Sequence, residues 1–198
     1  MSKPLILFPF GGNAREALTM ILSTPALKKA WDVVGFIDDD QSRWKKDLCG
    51  VKVLGGKDIL KKFPKAFVLA VAGNPQNYLK RQEIIEILDI KKSRWATIIH
   101  PSVAIASNAK IGVNSLLMPN VVVGCGSLVG DHAVMLPNTT IGHETTIGNY
   151  CCIGSNVAIA GSVKIADNCY IGSGSSIRDG ILIGEGSLIG LKEWQYSQ

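Results

Sequence analysis

His143 and Glu144 are adjacent in the stretch NTTIGHETTIGNY, residues 138–150. An imidazole is the side chain best suited to accept a proton near neutral pH, and a neighbouring carboxylate can fix its tautomer and stabilise the imidazolium. Adjacent side chains can meet in this way at a turn, whereas in an extended strand they point apart. The pair therefore indicates a general base if it lies at a turn, although two ordinary exposed turn residues would give the same pattern.

The residues that surround this pair form a repeat with a period of six. An apolar side chain recurs at every sixth position from Ile99 to Ile189, without a slip in register. A second frame, four residues after each apolar position, holds small or β-branched residues from Val103 to Ser187. The position directly after the apolar residue is most often Gly or Ala.

A period of six matches neither the helical repeat of 3.6 nor the alternation of a plain strand. It matches one side of a coil that consists of a short strand and a turn, with three sides in each eighteen-residue rung. The apolar residue then points inward, and the small residue fits near the corner. The repeat predicts an all-β parallel β-helix, which is normally left-handed and so an exception to the right-handed crossover rule. A sandwich of short strands would not hold so constant a register.

The first half of the chain has a different pattern. The segments PLILFPF, DVVGFI, VKVL and AFVLAVAG read as strands, and AREALTMILSTPALKKA reads as a helix that is interrupted near Pro25. YLKRQEIIEIL reads as a second long helix. This order predicts a small Rossmann-like parallel sheet, an α/β domain. We expect three segments: an α/β domain over 1–97, the β-helix over 98–190 and a short tail over 191–198.

The first strand-to-helix turn contains Gly11, Gly12 and Asn13. Small residues at a helix N-terminus let a phosphate or a base approach the backbone. Asp38 and Asp39 follow the second strand, where ribose hydroxyls or a ring N–H could be bound. A plain turn and a solvent-facing acidic pair would explain the same residues, since the two adjacent glycines do not form the G-x-G-x-x-G motif.

Composition excludes some classes of protein. The formal net charge is +5, but the basic residues concentrate before residue 96 as helix faces without interleaved aromatics, so we expect no nucleic-acid partner. No apolar run is long enough to span a bilayer, and no signal peptide is recognisable, so we expect no membrane insertion. The five cysteines lack CxxC spacing, which favours reduced thiols and a cytoplasmic location. Outward apolar residues such as Met118, Val122 and Leu136 suggest self-association.

A small α/β domain followed by an uninterrupted hexapeptide β-helix with GHE in its middle rung resembles the sialic acid O-acetyltransferase family of sugar acyltransferases. Within that family the chain looks most like the bacterial enzymes that N-acetylate nucleotide-linked 4-amino sugars. The resemblance implies acetyl transfer from acetyl-CoA to an amino or hydroxyl group of a sugar, with His143 as general base and Glu144 raising its basicity. It also implies a homotrimer with acetyl-CoA in the groove between adjacent β-helices, and no metal. Backbone N–H groups of the neighbouring rungs would be the oxyanion donors.

The resemblance assigns further residues one by one. Gly11, Gly12, Asn13, Asp38 and Asp39 match the nucleotide-sugar site of the family, with Asn13 in the place of a histidine. The positions that line the coenzyme fall at the following residues: Cys152, which replaces a second histidine, Gly161, Ser173 and Leu191.

Two alternative functions differ in class. The family's usual C-terminal G-x-P-A-K segment is not found after the last rung, which would fit a non-catalytic module that binds a nucleotide-sugar. Three histidines in a β-helix also invite comparison with γ-type carbonic anhydrases, in which histidines of two subunits bind zinc. Against the zinc site, His132 and His143 are eleven residues apart and so fall on different sides of the coil.

Overall fold

The computed structural model describes residues 2–190 and shows a small parallel sheet with helices, followed by a parallel β-solenoid. The fold class expected from the sequence is confirmed, and the solenoid is consistent with a left-handed β-helix. In the first part the strands are β1 Lys3–Phe8, β2 Trp31–Phe36, β3 Asp47–Leu48, β4 Val51–Lys52 and β5 Phe67–Ala70, and the helices are α1 Gly12–Ser23, α2 Pro25–Ala30 and α3 Arg81–Glu86. Short 3-10 helices span Gln41–Arg43, Lys57–Lys61, Tyr78–Lys80 and Lys92–Arg94.

The order of the main sheet is β2-β1-β5, and β1 pairs in parallel with both neighbours. The chain therefore adds β2 on one side of the central strand β1 and β5 on its other side. Open α/β sheets bind ligands at such a switch point, at the carboxyl ends of the strands. Those ends carry the turn after β1, residues 9–13, and the loop after β5, residues 71–77.

The predicted second long helix is wrong. Residues 78–80 form a 3-10 turn, and α3 spans only Arg81–Glu86. Asp89 adopts a positive φ of 43°, which a continuing α-helix does not allow. Leu79 and Ile87 remain exposed, so the apolar pattern of this segment does not correspond to one buried helical stripe.

The solenoid has three faces, each built from parallel strands of two residues stacked rung on rung. Face I consists of β6 Ile98–Ile99, β9 Leu116–Leu117, β12 Val134–Met135, β15 Cys152–Ile153, β18 Tyr170–Ile171 and β21 Leu188–Ile189. Face II consists of β7 Ala104–Ile105, β10 Val122–Val123, β13 Thr140–Ile141, β16 Ala158–Ile159 and β19 Ser176–Ile177. Face III consists of β8 Lys110–Ile111, β11 Leu128–Val129, β14 Thr146–Ile147, β17 Lys164–Ile165 and β20 Leu182–Ile183.

The interior of the solenoid contains both repeating frames. One apolar cluster includes the six-residue frame from Leu117 to Ile183 together with small residues such as Ala133 and Cys151. Buried hydroxyls in the small-residue frame are satisfied across rungs: the Thr139 hydroxyl donates to the Gly154 carbonyl (2.7 Å), and the Thr145 hydroxyl donates to the Ala160 carbonyl (2.9 Å). A Ser or Thr can therefore replace Ala or Val there without leaving a buried polar atom unpaired.

From Asn114 onward, each turn of the solenoid contains one residue in the left-handed region of φ. These residues recur every six positions: Asn114, Asn120, Gly126, His132, Asn138, Glu144, Tyr150, Asn156, Ser162, Asn168, Gly174, Gly180 and Gly186. Asn and Gly adopt this conformation at low cost, which explains why they dominate the turns. His132, Glu144, Tyr150 and Ser162 depart from that rule.

The α/β part is docked on face I. A single apolar cluster contains residues of the α/β sheet such as Leu7 and Leu69 together with Leu116, Val134 and Cys152 of face I. Met118 belongs to the same cluster and Leu136 packs against it, so both point outward from the solenoid as expected, but the α/β part covers them and they do not form an exposed surface for self-association; Val122 does lie exposed on face II. The division at residues 97 and 98 stays a prediction, and the tail over 191–198 lies outside the described residues.

His132 is buried in this contact, although its turn position suggested an exposed side chain. Its ring stacks on Tyr150 with centroids 4.5 Å apart, and its Nδ1 lies 2.8 Å from the amide nitrogen of Asn114. That amide also pairs with both backbone groups of Ala70 in β5, so its nitrogen is a donor and His132 Nδ1 is an acceptor.

Within residues 2–190, no helix has the length and apolar character needed to cross a bilayer.

Burial lowers the pKa of His132 to about 4, and the nearby Arg81 guanidinium acts in the same direction, while Asp131 and Glu86 partly oppose it. The unfolded chain binds this proton near pH 6.5 and the folded chain does not, so the free energy of unfolding should fall as the pH decreases from about 6.5 to about 4. We expect a decrease of roughly 1–3 kcal/mol from this residue. Urea unfolding at a series of pH values in this range measures the free energy of unfolding. That free energy should depend less steeply on pH in His132→Asn than in the wild type, and an equal dependence would contradict the low pKa of His132.

Candidate functional site

His143 and Glu144 lie at the edge where face II meets face III, between β13 and β14. Glu144 Oε2 is 3.8 Å from His143 Nδ1, and both side chains are mostly exposed. The turn therefore brings the carboxylate to one ring nitrogen and leaves Nε2 to act on another molecule. Glu144 has a φ of 54°.

The imidazole lies against Gly161, the residue one rung further along the same edge. A Cβ atom at Gly161 would overlap the ring at Nε2 and Cε1. Other glycines of the solenoid, such as Gly124 and Gly142, face the backbone of the next rung instead. Gly161 therefore provides the space in which the His143 ring lies, and the structure brings these two sequence-predicted residues together.

Three backbone N–H groups near His143 already have acceptors within the solenoid. The N–H of Glu144 donates to the Cys125 carbonyl (2.8 Å), and the N–H of Ser162 donates to the His143 carbonyl (2.8 Å). The N–H of Gly161 donates to Asp179 Oδ1 (2.9 Å). These three groups hold the edge together and are therefore not free to donate to a developing oxyanion.

The other predicted coenzyme residues do not gather around His143. Ser173 lies at the edge between faces I and II, and its hydroxyl accepts from the Ser155 N–H (3.1 Å). Cys152 is buried on face I, where it lines a cavity of about 20 Å³ with Asn13, Gly73 and Tyr170. Burial raises the pKa of the Cys152 thiol. Leu191 lies outside the described residues.

A larger cavity of about 530 Å³ opens where the carboxyl ends of β1 and β5 face Tyr170 of the solenoid. Its wall includes Gly11, Gly12 and Asn13 at the N-terminus of α1, as the sequence predicts. Arg15, Arg43 and Lys46 also line it, and sequence reasoning missed all three because they belong to basic segments that look like solvated surface. Among residues 2–190, no Asp or Glu is part of the wall, so this part of the chain presents cations and a helix N-terminus to a bound molecule.

Asp38 and Asp39 are not part of this wall. Asp38 is buried and accepts the N–H groups of Phe10 and Asp40 (both 2.9 Å), and it pairs with Arg43 Nη1 at 3.1 Å. Asp39 accepts the Lys57 N–H (2.9 Å). Asp38 thus holds the turn after β1 in place through the Phe10 N–H. A ligand-binding role for either carboxylate stays a prediction.

The three histidines lie on three different edges of the solenoid. His100 lies between faces I and II, His132 between faces III and I, and His143 between faces II and III. Within residues 2–190, no three His, Cys, Asp or Glu side chains are grouped so that they could hold a metal ion. One chain therefore does not assemble the histidine site that the zinc alternative requires.

These features define a class of protein: a hexapeptide-repeat β-helix with a ligand cavity in an α/β part docked on one face. A family profile described as GMPPB C-terminal domain matches residues 94–195, and the chain belongs to this family. A comparison with curated protein sequences finds no match.

Three solved structures share the whole fold. A mutant of perosamine N-acetyltransferase from Caulobacter crescentus, crystallised with CoA and GDP-perosamine, is 18% identical with a TM-score of 0.72, covering 96% of this chain and 95% of that chain. The acetyltransferase domain of PglB from Neisseria gonorrhoeae is 20% identical with a TM-score of 0.66, covering 91% and 96%. WeeI from Acinetobacter baumannii is 22% identical with a TM-score of 0.77, covering 95% and 88%. The resemblance inferred from the repeat and GHE is confirmed at the level of the fold.

Because the backbone of Glu144 is in the left-handed region, a substitution can test whether this side chain contributes to the stability of the fold. A side chain with a Cβ in the left-handed region costs roughly 1 kcal/mol, which Asn largely avoids, and an exposed His–Glu contact offsets little of that cost. Glu144→Asn should therefore raise the free energy of unfolding by roughly 0.5–1 kcal/mol. The reverse change at an equivalent turn, Asn156→Glu, should lower it by a similar amount. A loss of stability in Glu144→Asn would show that Glu144 is there to hold the fold.

Proposed function

We propose that the protein transfers an acetyl group from acetyl-CoA to an amino or hydroxyl group of a nucleotide-linked sugar, with His143 as the general base. The observation that carries this proposal is the His143–Glu144 pair at an exposed edge, with the imidazole seated on Gly161 and Nε2 directed away from the carboxylate. An exposed imidazole with a carboxylate near Nδ1 and Nε2 left for a substrate supports a role as general base.

The solved structures of the same fold support the choice of substrates. The perosamine enzyme was crystallised with CoA and GDP-perosamine, and the PglB domain with acetyl coenzyme A. Both proteins are named as acetyltransferases. At 18–21% identity these names do not fix the substrate of this chain, so the choice between N- and O-acetylation and the identity of the sugar are left to the assay.

The chemistry is a direct acyl transfer. The amine or hydroxyl of the acceptor attacks the thioester carbonyl, a C–N or C–O bond forms, and the C–S bond breaks to release CoA. The proton of the attacking group passes to His143 Nε2, and Glu144 near Nδ1 stabilises the imidazolium that results. No acyl-enzyme is needed. Cys151 is part of the apolar interior and Cys152 is buried, so neither thiol reaches this edge.

The cavity at the carboxyl ends of β1 and β5 is the proposed acceptor site. Its volume suits a small ligand. Arg15, Arg43 and Lys46, together with the N-terminus of the twelve-residue helix α1, are suited to bind the diphosphate of a nucleotide-sugar. Tyr170 supplies an aromatic surface on the side of the solenoid.

One chain cannot bring this acceptor site to its own His143. The α/β part covers face I, whereas His143 is on the edge opposite face I, where faces II and III meet. The reaction therefore needs a second copy, and we propose the homotrimer implied by the family resemblance. Outward apolar side chains on both sides of this edge are exposed, namely Val122 on face II and Leu128 on face III, which favours contact with another copy. A cytoplasmic location is part of the same proposal.

The proposal is tested by incubating the purified protein with acetyl-CoA and a panel of UDP- and GDP-linked amino sugars and sialic acid. Released CoA thiol and acetylated sugar should appear together in equal amounts. Binding of a nucleotide-sugar without any release of thiol would favour the non-catalytic module instead.

Within this assay, His143→Ala should lower turnover by roughly 100-fold or more, because a positioned general base contributes on that scale. His100→Ala is the matched control, since His100 is also at a solenoid edge but bonds only to Ser102. The control should keep wild-type turnover, and both variants should keep the oligomeric state of the wild type in light scattering. Full activity in His143→Ala would remove this residue from the mechanism.

A further inference from the structure

Arg81 is fully buried although it carries a permanent charge. Its guanidinium donates to three backbone carbonyls: Nε to Tyr150 (3.0 Å), Nη1 to Ala72 and Nη2 to His132. Among residues 2–190, no carboxylate forms an ion pair with it. A buried cation is costly unless its N–H donors have acceptors. Moving the Arg81 guanidinium away from these three carbonyls would leave buried donors unpaired, so the carbonyls determine its position.

The three carbonyls belong to two parts of the fold. Ala72 is in the loop after β5 that forms a wall of the acceptor cavity. His132 and Tyr150 are in consecutive turns at the edge between faces III and I, one rung apart and stacked on each other. The planar guanidinium presents its donors in fixed directions. It therefore fixes the position of the cavity loop relative to two rungs of the solenoid.

The same loop is held from its other side by Asn13. The Asn13 amide nitrogen donates to the carbonyls of Val71 (3.2 Å) and Gly73 (3.3 Å), so consecutive carbonyls of the loop are bound alternately by Asn13 and by Arg81. Gly73 rests directly on Arg81. A Cβ at Gly73 would lie 3.0 Å from Arg81 Cδ and 3.2 Å from Cys152 Sγ, and its φ is 129°.

We propose that Arg81 is a positioning residue of the acceptor cavity, which holds the loop over 71–77 at a fixed height on the solenoid and so sets the place of a bound nucleotide-sugar. The identity of the ligand rests on the proposed function. The positional role rests on the contacts of Arg81 alone. Arg81 touches neither substrate in this account and acts through the loop.

Arg81→Lys tests this proposal, because lysine keeps the charge but cannot donate to three carbonyls in fixed directions. Arg94→Lys is the matched control, since Arg94 also donates to two backbone carbonyls, Ala66 and Phe63, but takes no part in the cavity wall. Hydrogen exchange should become at least tenfold faster over residues 71–77 in Arg81→Lys and stay unchanged there in Arg94→Lys. Calorimetry with UDP and GDP as probes should give at least tenfold weaker binding for Arg81→Lys alone.

Wild-type exchange over 71–77 in a folded Arg81→Lys would overturn the proposal, whatever happens to binding. If the wild type itself binds neither UDP nor GDP, the nucleotide part of the proposed function fails, while the exchange data still decide the role of Arg81. If Arg81→Lys does not fold, Gly73→Ala replaces it, because the added methyl pushes the loop off the guanidinium without exposing or removing the charge. Unchanged exchange over 71–77 in that variant would equally overturn the proposal.

Discussion

The parallel stacking of eighteen-residue rungs constrains everything else in this molecule. Each strand of the solenoid bonds only to the strands directly before and after it on the same face, so an interior position must suit the rungs on both sides. The edges are less constrained, but from Asn114 onward the backbone has one left-handed residue in every turn. Asn and Gly satisfy that requirement at least cost. Where another residue type occupies the position, some other interaction must offset the strain.

Three of the four departures, His132, Glu144 and Tyr150, occur at places where the solenoid does more than stack. His132 and Tyr150 are in consecutive turns at one edge, where their rings stack and their carbonyls accept from Arg81 of the α/β part. Glu144 is at a different edge, between faces II and III, beside His143. The first pair fixes the cavity on face I, and the third residue serves the proposed base. Docking the α/β part on face I leaves the edge of His143 accessible to another copy and keeps it away from the cavity of its own chain.

The repeat could be predicted from the sequence because its period is local and is imposed at every rung. The turn position of His143 and Glu144 follows from the same register, and the place of Gly11, Gly12 and Asn13 in the cavity wall follows from their position after the first strand. The roles of Arg81 and Asn114 could not be predicted. Their partners are backbone groups that lie 9 to 69 residues away, and a carbonyl carries no sequence signal. Asp38 looked like a ligand-binding carboxylate because nothing in the sequence shows that it accepts the Phe10 N–H.

The central claim is that His143 of one copy serves the cavity of another, and mixed oligomers test it most directly. One tagged chain carries His143→Ala, and a differently tagged chain carries Gly12→Trp, which fills the cavity because a Cβ at Gly12 meets no other atom within 4 Å. Each variant alone should be inactive. In a mixed trimer, one of the three interfaces joins an intact cavity to an intact histidine, so doubly purified oligomers should recover about a third of wild-type turnover. Mixed oligomers that assemble fully and remain inactive would contradict the account.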